Sequence, residues 1–326
     1  MKNEKSDIRK QDGKEPSGRS GMQLEQFMAI TGRNLKTYFR DKGTIFFSLL
    51  SMLVVIGLMV FFLGDMNIEN ITDLLGQFPG RDAAQDKENA KLLTLAWTCA
   101  GILSINAVTV TLAVYSVLIK DKVSGKLNAV YTAPVSRTVI AAGYITSAWI
   151  ASVCICMITL VLTEVYGAAQ GLAVFSPAAH LRLAGMVMVN SFVYAALMYL
   201  FAALVKTEGA WSGIGTVVGT LVGFLGGIYV PVGTLSESIA RILKGTPVIY
   251  GTAMFRDVMT DDILNTTFAG VPEEVVLEYR RVMGIDLRLF GRDISMGQEL
   301  LLLLFCGMIL LAAGAAILKY GKRTDR

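Results

Sequence analysis

The chain has 326 residues, 30 Lys and Arg against 26 Asp and Glu, 53% hydrophobic residues and only 17% charged ones. Soluble domains average about 25% charged. The deficit lies in six runs free of Asp, Glu, Lys and Arg: Gly43 to Gly64, Leu92 to Ile119, Thr138 to Thr163, Leu183 to Val205, Gly209 to Ser236 and Leu300 to Leu318. Charges would interrupt a large soluble core more often, and β-barrel strands would be about ten residues long and alternating, so both are excluded.

A helix crosses about 30 Å of hydrocarbon with about 20 apolar residues. Six runs of that length predict an all-α membrane protein with six transmembrane helices, at about 44–63, 92–119, 138–163, 183–205, 210–232 and 300–318. Residues 1–21 are polar, lack apolar periodicity and are expected to be a disordered tail. No cleavable signal peptide is expected, because a long polar stretch precedes the first run. Over residues 22–43, Leu24, Phe27, Met28, Leu35, Tyr38 and Phe39 fall near one helical face and Glu25, Arg33, Lys36 and Arg40 elsewhere. That pattern predicts an N-terminal amphipathic helix lying at the membrane interface.

After the first span, the acid-leaning segment 65–91 is expected to be a flexible external loop with at most one short helix. Spans two and three flank the polar stretch 120–137, KDKVSGKLNAVYTAPVSR. The segment 164–182 holds Glu164, expected as a solvated span end, and His180, expected as an interfacial loop residue. Span four turns through Lys206, Thr207 and Glu208 into span five, where Gly215, Gly219, Gly223 and Gly227 recur every four residues. Such a stripe lets helix backbones approach closely in lipid; tight packing or a sliding surface both fit it. Pro231 is expected to break the helix near its outer end, as a short re-entrant or gating element. Segment 233–299 is expected to carry two or three short helices, one starting at Pro272–Glu273–Glu274, before span six and the basic tail 319–326.

Nineteen Lys and Arg fall in 1–43, 120–137, Lys206 and 319–326, and eleven in the alternate segments. The positive-inside rule therefore puts both termini and the stretch 120–137 in the cytoplasm, and segment 233–299 outside. The four cysteines all lie in apolar runs, as small packing residues rather than disulfides.

Chemistry is sparse. There is no phosphate-binding G-x-x-x-x-G-K-[ST] loop and no G-x-S-x-G elbow, and one histidine among scattered cysteines gives no metal-ligand spacing. No catalytic, cofactor or metal site is expected. Placed between 300 and 318, span six holds no interior carboxylate, and neither do the other spans. An ion-coupled pump would need such groups, which disfavours a gradient-driven carrier or channel. A membrane sensor using the outer segment is the remaining alternative. Ser104, Asn106, Thr109, Thr111, Asn190 and Ser191 are the polar groups within spans, suited to interhelical hydrogen bonds or to lining a pathway.

Several motifs then stand in order. The stretch reads Asp121–Lys122–Val123–Ser124–Gly125–Lys126–Leu127 and Thr132–Ala133–Pro134–Val135–Ser136–Arg137. Span five ends Gly226–Gly227–Ile228–Tyr229–Val230–Pro231. Pro247–Val248–Ile249–Tyr250 is followed by Arg256, and Tyr38–Phe39–Arg40–Asp41–Lys42 precedes span one. With six spans, this set resembles the permease subunit of an ABC-2 type exporter over residues 22 to 322. The family more often has Glu and an Arg-rich pattern where this chain has Lys120–Asp121–Lys122.

The resemblance implies an exporter of an amphipathic or hydrophobic substrate (a drug, peptide or lipid-linked molecule) in the plasma membrane. The permease dimerises with itself or a relative, and a separate cytoplasmic ATP-binding subunit carries the ATP and Mg. Stretch 120–137 would be the coupling element, with Asp121, Lys122, Gly125, Leu127, Pro134, Arg137 and Arg40 at the contact with that subunit. Gly215, Gly219, Gly223, Gly227 and Pro231 would serve helix packing or gating.

Overall fold

The computed structural model describes residues 17–46, 64–132 and 134–320, with three isolated positions (50, 54 and 57) between the first two segments. Most of the expected first span, most of the N-terminal tail and the end of the basic C-terminal tail lie outside the described residues.

Helix α1 runs Ser17–Arg40, starting earlier than the expected tail boundary at 21. α2 (Gly64–Leu75) and α3 (Ala83–Val123) follow. α3 has 41 residues, about 60 Å long at 1.5 Å per residue, about twice the thickness of a hydrocarbon core. Its start is fixed by Asp82, whose carboxylate accepts from the Ala84 and Gln85 amides at 2.9 and 3.3 Å. Segment 65–91 is therefore not a flexible loop. α2 buries Asn67, Ile71 and Leu75, and the first turns of α3 occupy the rest.

The short helix α4 (Lys126–Thr132) leads to α5 (Arg137–Ala169), α6 (Pro177–Leu204) and α7 (Glu208–Leu225). Each of these three long helices begins on a hydroxyl cap. Ser136 accepts from Val139, Ser176 from Ala179, and Thr207 from Ala210, all amides at 3.2 Å. A side-chain oxygen there satisfies an amide that the first turn leaves unpaired.

Beyond α7 lie α8 (Glu237–Lys244), α9 (Pro247–Thr267), α10 (Glu273–Val282) and a two-stranded hairpin. The hairpin, β1 (Arg288–Leu289) and β2 (Arg292–Asp293), pairs Arg288 with Asp293 and Leu289 with Arg292. Phe290 and Gly291 take φ of 49° and 80° at its tip, the pair of positive values a two-residue turn needs to match strand twist. The helices expected over 233–299 did not include this hairpin. α11 (Met296–Tyr320) closes the chain.

α3 is the axle. The apolar window of α3 is 83% buried, against 17% for that of α11 at the periphery. α5, α6, α7 and α9 all pack on it. Among the described residues, four helices, α3, α5, α6 and α11, are long and apolar enough to cross a membrane. The chain thus has two ends: a loop end, with α1, the Gly125 turn and α4, and a cap end, with α2 and α8 to α10.

Candidate functional site

At the loop end, α1 lies along α5, where a Cβ on Gly143 would stand 2.6 Å from the Ile30 side chain. The buried face of α1 is Thr31, Asn34 and Tyr38, while Leu24, Met28 and Phe39 stay exposed. Arg33 grips Asp121 with both guanidinium nitrogens: Nη1 donates to Oδ2, and Nη2 to Oδ1 at 2.7 Å. The Tyr144 hydroxyl donates to the same carboxylate at 2.5 Å. Asp121 is 4% exposed, so its carboxylate is engaged inside the protomer rather than offered outward. The bond to Asp121 holds Arg33 charged, well above its ordinary range.

Lys122 is turned inward as well. Its Nζ donates to the carbonyls of Ala202, Ala203 and Val205 at 2.5, 3.2 and 3.3 Å, closing the C-terminal end of α6. A lysine suits that position because the last carbonyls of a helix carry partial negative charge. Gly125 follows the end of α3 with φ 73°, a left-handed turn that a Cβ would strain. Leu127 is buried, and Pro134, Arg137 and Arg40 are exposed. Of the seven residues expected at a partner contact, Asp121, Lys122 and Leu127 therefore face the interior, and Gly125 shapes the turn.

At the cap end, α7 stops at Leu225, and the chain reverses at Gly226 and Gly227. Gly227 has φ 62°. The helix break thus comes from the glycines, several residues before Pro231, which only opens a short 3-10 turn. Gly227 accordingly leaves the stripe. A Cβ on Gly215 would stand 3.4 Å from Leu112 of α3, whereas Gly219 meets no described atom within 4 Å. The space beside Gly223 is filled by Tyr229 of the chain's own return, whose ring would stand 2.3 Å from a Cβ there. Within the protomer the stripe is not one continuous packing seam. It borders a cleft of about 870 Å³ between α3 and α7, lined in part by Thr109, Ser116, Ser212 and Gly219.

Arg256 of α9 holds the reversal in place. It is fully buried and donates through Nη2 to Gly227 O at 2.9 Å, and through Nη1 to Met283 O at 3.1 Å and Gly284 O at 3.4 Å. Its guanidinium lies 4.1 Å from the centre of the Trp97 ring, a cation–π contact. Trp97 Nε1 donates to the same Met283 carbonyl at 2.8 Å. Burial pulls the Arg256 pKa down to about 9, which leaves it protonated at neutral pH. One cation, compensated by carbonyls and a π face, thus ties together α3, α9 and the ends of α7 and α10. Nearby, Arg280 bonds Asp257 at 2.5 Å and Asp286 at 2.7 Å, and the Asp286 bond raises it above its ordinary range.

Three acid or histidine positions differ from expectation. His180 lies in the first turn of α6, its Nε2 2.9 Å from the Glu164 carboxylate, and Glu164 also accepts from the Phe175 amide at 3.0 Å. Glu164 is therefore engaged, not a solvated end. α11 starts at Met296, so Glu299 falls inside it and is 3% exposed. The charge-free run begins one residue later, which is why the sequence shows no interior carboxylate at the head of this membrane-length helix. Two polar pairs cross between helices, Asn106 with Thr159 at 2.7 Å and Ser152 with Ser191 at 2.9 Å, while Thr109, Thr111 and Asn190 donate to carbonyls of their own helices.

A family model described as ABC-2 family transporter protein matches residues 82–316. The chain belongs to the ABC-2 transporter family. The match runs from the cap of α3 through most of α11, so both the Arg256 hub and the Gly125 turn lie inside it, while α1 precedes it. No curated protein matches the chain. The permease is a membrane transport component built of apolar helices.

Proposed function

We propose that this ABC-2 permease is the membrane subunit of an ATP-driven exporter, with six spans, both termini in the cytoplasm of the plasma membrane, and ATP and Mg carried by a separate subunit. The observation that carries the reading is the Arg33–Asp121–Tyr144 cluster. It fastens the lead-in helix, the last turn of α3 and the start of α5 into one block at the loop end. A permease with no ATP site of its own needs a stiff surface through which a partner's two states are felt. In this reading Gly125, Pro134, Arg137 and Arg40 present that block to the partner, and Asp121 and Lys122 hold it together from within. The exposed α7 face around Gly219 meets a second permease copy, and an amphipathic substrate passes between the two.

The test is ATPase activity and transport by the reconstituted complex. Gly125→Pro, which breaks the left-handed turn, and the charge reversal Arg137→Glu, which leaves the fold intact, are both expected to lose transport. Coupled turnover at the wild-type rate in both variants sinks the reading. Buried Glu299 supports a second reading, a carrier driven by an ion gradient. Transport that persists without any ATPase and stops when the gradient is collapsed favours it.

A further inference from the structure

The β1–β2 hairpin turns on a phenylalanine, where a two-residue turn favours Asn, Asp or Gly. Phe290 is the one non-glycine residue with positive φ among the described residues, at 49°, and its side chain is fully exposed. A bulky residue is disfavoured in that backbone region, and no burial within the protomer offsets the cost. The base of the hairpin is firm. Leu287 is buried, and its carbonyl accepts from the Ile294 amide at 3.0 Å. Arg281 bonds Asp293 at 2.7 Å, and Arg288 Nε donates to Gly291 O at 3.0 Å. The fold therefore holds the ring out at a set place.

That place is beside the head of α11. Leu289, Phe290 and Arg292 line one cleft of about 790 Å³ with Leu301, Leu302 and Phe305. The tip thus stands next to the first turns of the charge-free run Leu300 to Leu318. Leu301, Phe305, Met308 and Ile309 form an exposed stripe on one face of α11. The other face turns inward, with Leu303 buried and a Cβ on Gly307 standing 3.2 Å from Val193 of α6. An apolar stripe left open on a membrane-length helix is a surface for lipid. Phe290 continues it at the level where the apolar run begins, and aromatic and apolar side chains settle at the boundary between headgroups and acyl chains. The exposed Arg292 beside it has a long stem that lies on apolar surface while its head stays among polar groups. A strained residue kept at one position points to a use for it. We propose that the hairpin is a membrane-interface anchor: Phe290 enters the leaflet at the cap end, beside Leu301 and Phe305, and fixes the depth at which α11 begins. The proposal rests on α11 crossing a membrane and not on the source of transport energy, so it fails or survives separately from the exporter reading.

The test uses the full-length chain with Phe290→Trp, reconstituted in phosphatidylcholine vesicles with and without bromine on the acyl chains. The emission of the unsubstituted chain, from Trp97, Trp149 and Trp211, is subtracted. The added indole is expected to lose most of its emission to brominated lipid and to be reached by acrylamide several-fold more slowly than free tryptophan. Free access to acrylamide with no quenching by bromine puts the tip in water and overturns the proposal. Shielding from both quenchers means that protein covers the ring, a second permease or another partner, and overturns it too. If the Trp variant does not fold, the unsubstituted chain carries the test, with a phosphatidylcholine bearing a photoactivated diazirine on its acyl chain. The peptide holding Phe290 is expected to be labelled, and labelling of α11 without the hairpin overturns the proposal. Phe290→Asn suits the left-handed turn, so the hairpin should persist while its labelling is lost and that of α11 stays. Undiminished labelling of the hairpin in Phe290→Asn overturns the role of the ring.

Discussion

Arg33 and Asp121, 88 residues apart in the chain, share a two-pronged ion pair that fastens α1 to the last turn of α3. The two ends of this pair differ, because the arginine side chain is 45% exposed and the aspartate side chain 6%. Removing the arginine leaves a buried carboxylate with Tyr144 alone. Arg33→Ala should therefore destabilise the permease by about 1–3 kcal/mol, the cost of a buried acceptor left half satisfied, reduced by the solvent that already screens the exposed arginine. Asp121→Asn should cost less, since it removes the buried charge along with the pair. Thermal unfolding of the two single variants and the double variant measures the coupling. An additive double variant would mean that the ion pair does not fasten the two helices.

The cap end depends on Arg256 in a different way, because no carboxylate balances it among the described residues. Arg256→Met keeps bulk but strips a donor from each of three carbonyls, of which Met283 O retains Trp97 Nε1, and strips Trp97 of its cation. At about 1 kcal/mol per hydrogen bond, with more for the charge, the loss should be about 2–4 kcal/mol. Arg256→Lys should recover only part of it, since a single ammonium lacks the two separated nitrogens that reach Gly227 on one side and Met283 and Gly284 on the other. Trp97→Phe should fall between wild type and Arg256→Met, since it keeps a ring under the cation and loses the bond to Met283. Melting curves in one detergent rank the three. A Lys variant as stable as wild type would show that charge alone holds the reversal.

Much of this architecture is legible in the sequence. Charge-free runs mark α3, α5, α6 and α11 because a charged side chain is costly in hydrocarbon, and Pro272–Glu273–Glu274 marks the start of α10. The sequence does not show where helices outlast their apolar runs. α3 begins well before Leu92 because Asp82 caps it and α2 packs on it, not because its first turns are apolar. Arg256 stands out as a motif residue, but its role depends on three carbonyls from distant turns, and backbone oxygens leave no trace in composition. The inward turn of Asp121 and Lys122 is hidden for the same reason. A polar stretch between two spans looks solvated until Arg33 and the end of α6 are seen beside it.

The α7 glycines separate packing within a protomer from packing between protomers. Gly219 meets no described atom within 4 Å, while a Cβ at Gly215 would touch Leu112. Gly219→Leu should therefore leave the melting temperature of an isolated protomer almost unchanged. It should nevertheless weaken association of two permeases in lipid by about tenfold or more, since bulk on a small-residue face holds helices apart. Crosslinking of single-cysteine variants in proteoliposomes reads the association. Undisturbed crosslinking with Gly219→Leu would place the second copy on another face.

Glu299 discriminates the sources of energy. It lies in the first turn of α11, 3% exposed, and its carboxyl faces Asp257 and Asp286 across the cap end. A buried acid without a cation partner is costly, and the usual reason to keep one in a membrane helix is to carry a proton or bind an ion. The ATP-driven reading needs neither. Glu299→Gln keeps the shape and cannot ionise, so it avoids the cost of a buried acid and its melting temperature at pH 8 should equal or exceed that of wild type. Transport by the complex with its ATPase should persist at the wild-type rate, with the same dependence on pH between 6 and 8. Loss of transport with ATP hydrolysis intact, or a flattened pH profile, would instead place Glu299 in the transport cycle and move the permease toward gradient-coupled work.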